Sequence, residues 1–512
     1  MKQKEILALI LCLLIGFALR FYTLDRKSLW LDEIYSFNDS RYGFKEQIEF
    51  YKQKPYWLQA PLFSLLNHVF YPFTKPERDL RIISLIFGTL SIPVIYFLAR
   101  LFLPRIASPC ALSLSFMTYH ISISQDGRSY ALLMFLGMTG LYFFMKHLQT
   151  SKRRYLIPTA LFFAISIHTS YSSIPFVALS QILWLYRMNE DDKKSKFFSF
   201  FMLNGLILLF CLPWLLFIAL NYAGQPIMGN RPRPDLGTFW SNTYGVLHDW
   251  MPHVPLTIAS VILLILFPFF SKNRRNTLVL LTVFILPLGG LYLYCRLFTI
   301  THFITSRYFI NFLPLFFITL YLSINAIEVK FERLKRFMRL ELLFIILFIA
   351  SSLLILPFYY RSEKEDFRGL VNYLRGQLRN EDKIIVGTEL YIPGMLYYFG
   401  VHPEGRLYLL PSRKVSDEEI EYIVPLVMQN RKFTVSYSKT HWHKYLADGN
   451  RLWIVVNKTM AKEIQKNPVF VLKGYFDGSF LNFNRFPMDA SMYLFLSDPL
   501  SPNEKGIDVL IE

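Results

Sequence analysis

The chain has 512 residues, 53% of them hydrophobic, 17% aromatic and 18% charged, with a mean hydropathy of +0.31. This composition excludes a disordered chain, a coiled coil and a small disulfide-stapled module, and the length requires at least two structural units. The net charge of +18 is no nucleic-acid footprint. Residues 359–512 hold 20 Lys+Arg against 19 Asp+Glu, so the excess falls on the apolar residues 1–358, as in the positive-inside pattern of a membrane protein.

Eleven apolar runs have the length of membrane spans: 5–23, 82–102, 106–123, 130–147, 155–170, 173–188, 198–220, 255–271, 277–295, 307–327 and 341–359. The first is no cleavable signal, because its apolar stretch is long and no small-residue cleavage site follows. Lys and Arg concentrate in alternate connections, at Arg100/Arg105, at Lys146–Arg154, at Arg187–Lys196, at Lys272–Arg275 and at Lys330–Arg339. These read as cytoplasmic, which puts the N-terminus inside and the tail outside. The segment 155–188 is split at His168-Thr-Ser-Tyr-Ser-Ser173 into a tight outer hairpin. Cys12, Cys110, Cys211 and Cys295 each lie in an apolar run and read as buried fillers.

Residues 360–512 change character. Arg361–Arg379 reads as an amphipathic helix and Tyr391–Phe399 as another, with strands at Lys383–Gly387, Leu407–Leu410, Arg451–Val456, Val469–Phe476 and Met492–Leu496. Asp417–Glu421 reads as the acidic first turn of a helix. His441 and His443 alternate, but no third metal ligand is near. The expected architecture is an α-helical polytopic membrane bundle of about eleven spans, residues 1–359, followed by a soluble extracytoplasmic α/β domain, residues 360–512. No GxGxxG or GxxxxGK[ST] motif supports nucleotide binding.

Charge sits at the outer ends of the spans. Asp32 and Glu33 follow the first span within Ser28-Leu-Trp-Leu-Asp-Glu-Ile-Tyr35. They form either a solvated turn or a general base at the membrane surface, where partial desolvation tunes a carboxylate. Asp126, Arg128 and Tyr130 fill the turn between two spans. Here an Asp126–Arg128 pair closes the hairpin, or Arg128 clamps a phosphate. Arg78, Asp79 and Arg81 enter the second span, His168 and Tyr171 cap the hairpin, and Arg296, His302, Arg307 and Tyr308 flank the tenth span. Each alone suits an interfacial anchor. Gathered into one outer cavity, they would set acids for proton abstraction against cations for an anionic leaving group.

In order and topology these motifs resemble the bacterial mannosyltransferase-like branch of the GT-C glycosyltransferases, related to protein O-mannosyltransferases and the lipid A aminoarabinose transferase. The resemblance covers about residues 1–400. It rests on Trp30-Leu-Asp-Glu33, Ala60-Pro-Leu-Phe63 with His68, Arg81-Ile-Ile-Ser-Leu-Ile-Phe-Gly88, Gln125-Asp-Gly-Arg-Ser-Tyr130, His168-Thr-Ser-Tyr171, Ser306-Arg-Tyr308 and Asp366-Phe-Arg-Gly-Leu-Val-Asn-Tyr373. Two departures stand out: Gln59-Ala60-Pro61 where relatives often carry His-Pro-Pro, and Asp126 where they often carry Glu.

The resemblance implies an inverting transfer of a sugar, mannose being one candidate, from a polyprenyl-phosphate donor to an extracytoplasmic acceptor hydroxyl by a multi-pass enzyme of the plasma (inner) membrane. Asp32 takes the acceptor proton, with Glu33 next in line. Arg128, Arg307 and Arg81 are candidates for the lipid phosphate, and Asp126, Tyr130, His168, Tyr171 and Tyr308 for substrate contacts. Relatives differ in metal use, and no ligand cluster indicates a divalent metal or any other cofactor here. The partners implied are the lipid-linked donor, the acceptor and the bilayer, with no nucleic acid. The competing class is a transporter or lipid flippase, against which stand the absence of an inverted repeat and of paired Gly/Pro-broken spans.

Overall fold

Long apolar runs can satisfy their backbone in a bilayer only as helices, and all eleven runs contain helix. A computed structural model describes residues 3–53, 59–186, 193–222, 238–297, 305–331, 339–401, 412–414, 420–437, 451–478, 490–500, 505–507 and 511. Among these, six helices are long and apolar enough to cross a membrane, or eight when each of two bent pairs counts as one crossing. Outward-facing Leu7, Leu14, Leu209 and Leu354 mark the lipid side, while Ser306–Lys330 runs through the centre. The chain is a multi-pass membrane protein.

The expected eleven exceed this number at three places: the first helix, Gln3–Phe21, carries Lys4, Glu5 and Arg20 and is not among the eight, and two further runs form only short helices. Leu156–Thr169 has 14 residues and Ser173–Leu185 is likewise a short apolar helix. At 1.5 Å per residue the former reaches about 21 Å against a hydrocarbon core of about 30 Å. The chain breaks between them where expected, with Ser170 extended. The run 106–123 is not one helix either: Pro104–Phe116 and Thr118–Ser124 meet at 61°, with Met117 extended between them. The break frees carbonyls, and the buried Arg20 of the first helix, Gln3–Phe21, covers them by donating to Leu114 O at 2.7 Å and Ser115 O at 3.1 Å. A helix not expected from the sequence, Phe239–Trp250, precedes Val254–Phe270 at 114°.

The stretch between the first two spans is helical rather than a plain loop, with Leu31–Ser40, Phe44–Gln53, Leu62–His68 and Pro76–Asp79. The first of these carries Asp32 and Glu33.

The tail forms a seven-stranded mixed sheet of β1 (Asp382–Val386), β2 (Ser412–Lys414), β3 (Ile420–Met428), β4 (Arg431–Tyr437), β5 (Leu452–Val456), β6 (Val471–Phe476) and β7 (Met492–Ser497), in the order β2-β3-β4-β1-β5-β7-β6. β1 is parallel to both neighbours, as befits its central, largely apolar sequence, and the other pairings are antiparallel. Of the acidic stretch expected to open a helix at Asp417–Glu421, Glu421 lies in β3, and 417–419 fall outside the described residues. There Pro425 disfavours a helix, and Val424 and Leu426 turn inward while Ile423 and Val427 stay exposed. Gln429 and Asn430, both with positive φ, make the two-residue turn into β4. The amphipathic helix is shorter than expected, Phe367–Gln377. It is capped by Asp366, which accepts from Gly369 N at 2.8 Å, and it buries Phe367, Leu370, Val371 and Leu374. Leu407–Leu410, His441 and His443 lie outside the described residues, as does His302.

The tail does not build its core alone. Leu29, Ile34, Phe37 and Leu80 from the membrane half join Phe367, Leu370, Tyr391, Ile392 and Val386 in one apolar cluster. The sheet domain is thereby seated on helix Leu31–Ser40, the element that carries the two acids.

Candidate functional site

Asp32 and Glu33 occupy the first turn of helix Leu31–Ser40 and point to different surroundings. The Glu33 carboxylate is buried and receives Arg81 Nε and Nη2, both at 2.7 Å. It also accepts from Gly127 N at 2.6 Å. Arg81 spends its remaining N–H groups on Leu24 O, Lys27 O and Ser28 O, at 2.8, 3.2 and 3.0 Å. All five guanidinium donors are engaged, so Arg81 has none left for a phosphate. This corrects the expectation drawn from its position: it locks the loop 24–28 to the bundle. Glu33, at 1% side-chain exposure, has the same wall role. Gly127 is needed beside it, because a Cβ there would lie 2.8 Å from the buried Leu80 side chain.

Asp32 faces a different neighbourhood. Its Oδ2 lies 3.4 Å from Arg307 Nη1 and 4.0 Å from Arg128 Nε. Side-chain exposures of 27%, 33% and 28% for Asp32, Arg307 and Arg128 leave the trio open to a ligand. The structure thus brings together residues 275 positions apart. Arg128 Nη1 is anchored on the same helix, donating to Asp32 O at 3.1 Å and Ser36 Oγ at 3.0 Å. Arg307 lies 5.9 Å from the ring centroids of Trp30 and Tyr130 and 5.7 Å from that of Tyr308, within cation–π range. The Nε atoms of Arg128 and Arg307 are both buried without a hydrogen-bond partner among the described residues. Such donors cost about 1–3 kcal/mol each when left unmade.

Asp126 does not pair with Arg128 to close the hairpin. It accepts from the Trp30 indole at 2.9 Å and pairs with Lys364 Nζ at 2.9 Å. Burial pushes its carboxyl up, but Lys364, the Trp30 indole and Arg128 outweigh that and hold it below the usual range. Lys364 also lies 4.8 Å from the Trp30 ring centroid. Sequence reading missed Lys364. It fell within Arg361–Arg379, read as an amphipathic helix, and nothing local marks it as a partner of Asp126.

A cavity of about 300 Å³ opens beside Arg128 and is walled by Ser36, Ser64, Tyr51, Thr169, Ser170 and Tyr171 among others. Tyr171 lines it with its hydroxyl accepting from Trp214 Nε1 at 2.8 Å. His168 is not placed there; its Nε2 lies 3.4 Å from Phe210 O. Tyr130 is buried beneath Arg307, and Tyr308 packs half-buried against the membrane core. Among the described residues no group of three or more His, Cys, Asp or Glu is arranged to hold a metal ion. Cys12, Cys110 and Cys211 are buried free thiols.

No curated protein matches the chain by sequence comparison. Residues 57–217 match the family model described as dolichyl-phosphate-mannose-protein mannosyltransferase. Among solved structures, ArnT from Cupriavidus metallidurans in the apo state is similar, with a TM-score of 0.55 and 12% identity over 95% of this chain and 97% of that one. ArnT from the same organism bound to undecaprenyl phosphate gives the same values. At that identity the similarity shows the fold, a GT-C membrane bundle with a C-terminal sheet domain, and it bears out the resemblance read from the motifs.

Proposed function

From the premise that this chain has the GT-C fold, we propose that it is an inverting glycosyltransferase. It moves a sugar from a polyprenyl-phosphate donor to an acceptor hydroxyl outside the plasma membrane, with the N-terminus cytoplasmic and residues 360–512 forming the extracytoplasmic domain. The observation that carries this reading is the Asp32 carboxylate set between Arg128 and Arg307, each with a buried Nε donor unmatched.

The chemistry follows from the charges. The acceptor oxygen attacks the anomeric carbon as the bond from that carbon to the phosphate oxygen breaks. The acceptor proton passes to Asp32, and the lipid phosphate leaves as an anion. That leaving group needs cations more than a general acid, and the two planar guanidinium forks can each offer paired N–H groups to its oxygens. When phosphate engages the arginines it competes with Asp32 for them and frees the carboxylate for the proton. A single base opposite an anionic leaving group suffices for one displacement, unlike the paired carboxyls of glycoside hydrolases. The hydroxyl-rich cavity beside Arg128 has room for one sugar ring. The ArnT structure with undecaprenyl phosphate supports a lipid of this class.

The test is transfer of labelled sugar from synthetic polyprenyl-phosphate donors by the detergent-purified chain, alongside the sugar content of cell-surface glycans with and without it. Binding of the donor lipid with no transfer to any surface glycan, and movement of that lipid across vesicles, would favour the flippase reading instead.

A further inference from the structure

Three consecutive residues where the last span passes into the tail domain, Glu363-Lys364-Glu365, each touch a different part of the site. Glu363 Oε2 accepts from Ser28 N at 2.9 Å. Lys364 turns the other way, to Asp126 and the face of Trp30. Glu365 Oε2 accepts from Leu31 N at 2.8 Å. Leu29 N donates to another tail residue, Tyr398, whose hydroxyl lies 2.7 Å away. The amides of residues 28, 29 and 31 are therefore all held from the tail side, and that of Trp30 turns inward to Glu33.

Leu31 N is the first N–H of helix Leu31–Ser40. The first N–H groups of a helix have no partner within it, and a carboxylate placed there both accepts one and suits the positive end of the helix dipole. Asp32 is the next residue. Glu33 fixes the far side of this turn through Arg81 and Gly127, and Arg128 holds Asp32 O, while Glu365 holds its start at Leu31 N; fraying at that start tilts the Asp32 carboxylate relative to Arg128 and Arg307.

We propose that the Glu363–Glu365 segment is the positioning element for Asp32, with Glu365 as its principal residue, so that docking of the tail domain sets the geometry of the acid. None of these side chains touches a reacting atom; Glu363 and Glu365 act through the backbone amides of Ser28 and Leu31, and Lys364 through Asp126 and the Trp30 ring. The proposal rests on Asp32 being the base of the transfer reaction, but the clasp itself has a readout independent of activity.

The experiment uses the full chain in detergent, as wild type, Glu365→Ala and Glu365→Gln. It measures kcat and donor KM together with hydrogen exchange of the amides of residues 28–34. Misplacing a reacting group by about an ångström costs on the order of 10²-fold. Glu365→Ala should therefore lower kcat by about ten- to a hundredfold with donor KM within about twofold, and should speed exchange at Leu31. Glu365→Gln keeps an acceptor oxygen and should restore most of both. Unchanged kcat in Glu365→Ala, or equal losses in the two variants with exchange unaltered, would overturn the proposal. If wild type shows no transfer, the exchange arm decides alone. Faster exchange in Ala but not Gln then upholds the clasp while the transferase reading fails, and equal exchange in all three removes it. Should Glu365→Ala not fold, Glu365→Asp takes its place. Drawing the carboxylate back by one methylene must give lower kcat and faster exchange than Gln, and the reverse order counts against the proposal.

Discussion

Asp32 and Glu33 are neighbours on one helical turn, and each is matched to arginine, yet their surroundings differ in every respect that matters for function. Glu33 and Arg81 form a sealed bidentate pair in which every guanidinium N–H has an acceptor. Asp32 shares two arginines at longer range, partly open to solvent, and leaves an Nε of each unmatched. A buried, fully bonded pair is costly to break and has nothing to offer a ligand. An under-bonded cluster at an open edge has donors to give. If Asp32 is the base proposed above, burial and completeness of hydrogen bonding, rather than the presence of charge, separate the wall of this site from its working face.

The sharpest way to break the comparison is at the sealed pair. Arg81→Met leaves Glu33 buried and unpaired, which should destabilise the fold by about 3–5 kcal/mol. Thermal unfolding in detergent reads this directly, and a melting temperature close to wild type would place Arg81 outside the structural wall. At the open cluster the ordering reverses. Asp32→Asn should leave melting and donor binding near wild type and reduce turnover by about two orders of magnitude, the scale of lost general-base catalysis. Near-normal transfer by this variant would remove Asp32 from the mechanism.

Next in size come the cations. Arg128→Ala and Arg307→Ala should each weaken binding of the polyprenyl-phosphate donor by about tenfold, the equivalent of one charge-assisted bond. Arg128→Lys should lose less, because charge survives where the fork does not. Unchanged affinity in both alanine variants would sink the phosphate pocket.

A smaller effect is expected from pH. Burial lifts the Glu365 carboxyl to about 7, helped by Asp32 on the facing helix and opposed by the Leu31 amide and by Lys364, itself bound to Asp126. Above that value the carboxylate is charged at the helix start; below it the charge is lost and the hold on Leu31 weakens. Turnover should therefore fall as pH drops through about 7, by no more than the small loss expected of Glu365→Gln, since the neutral carboxyl keeps an acceptor oxygen. The limb should flatten in Glu365→Gln, which cannot titrate, and an identical limb in that variant would assign it to another group. The smallest change belongs to His168→Ala. Its 3.4 Å approach to Phe210 O is weak, so stability should stay within about 0.5 kcal/mol and turnover should be unaffected.

The sequence by itself determined the membrane half, the change of character at residue 360 and the helical nature of every apolar run, because a bilayer leaves the backbone one solution and hydropathy reports it. It also placed Asp32, Arg128 and Arg307 as candidates, since charge at span ends is expensive enough to stand out. Periodicity in the tail was enough for the helices Phe367–Gln377 and Tyr391–Phe399 and for strands β1, β5, β6 and β7. The hairpin β3–β4 was missed because its turn, Gln429-Asn430, lacks the glycine that usually announces one.

Only the tertiary structure decided which acid meets which arginine. Asp126 looked paired to Arg128 two residues away but bonds Lys364, more than two hundred positions on, and Arg81 looked available until its five bonds were seen. Pairing energies depend on distance and desolvation in three dimensions, and neither quantity is carried by local order along the chain. The broken helix at Met117 is of the same kind: its freed carbonyls are tolerable because Arg20, a hundred residues earlier, arrives to accept the duty of donor.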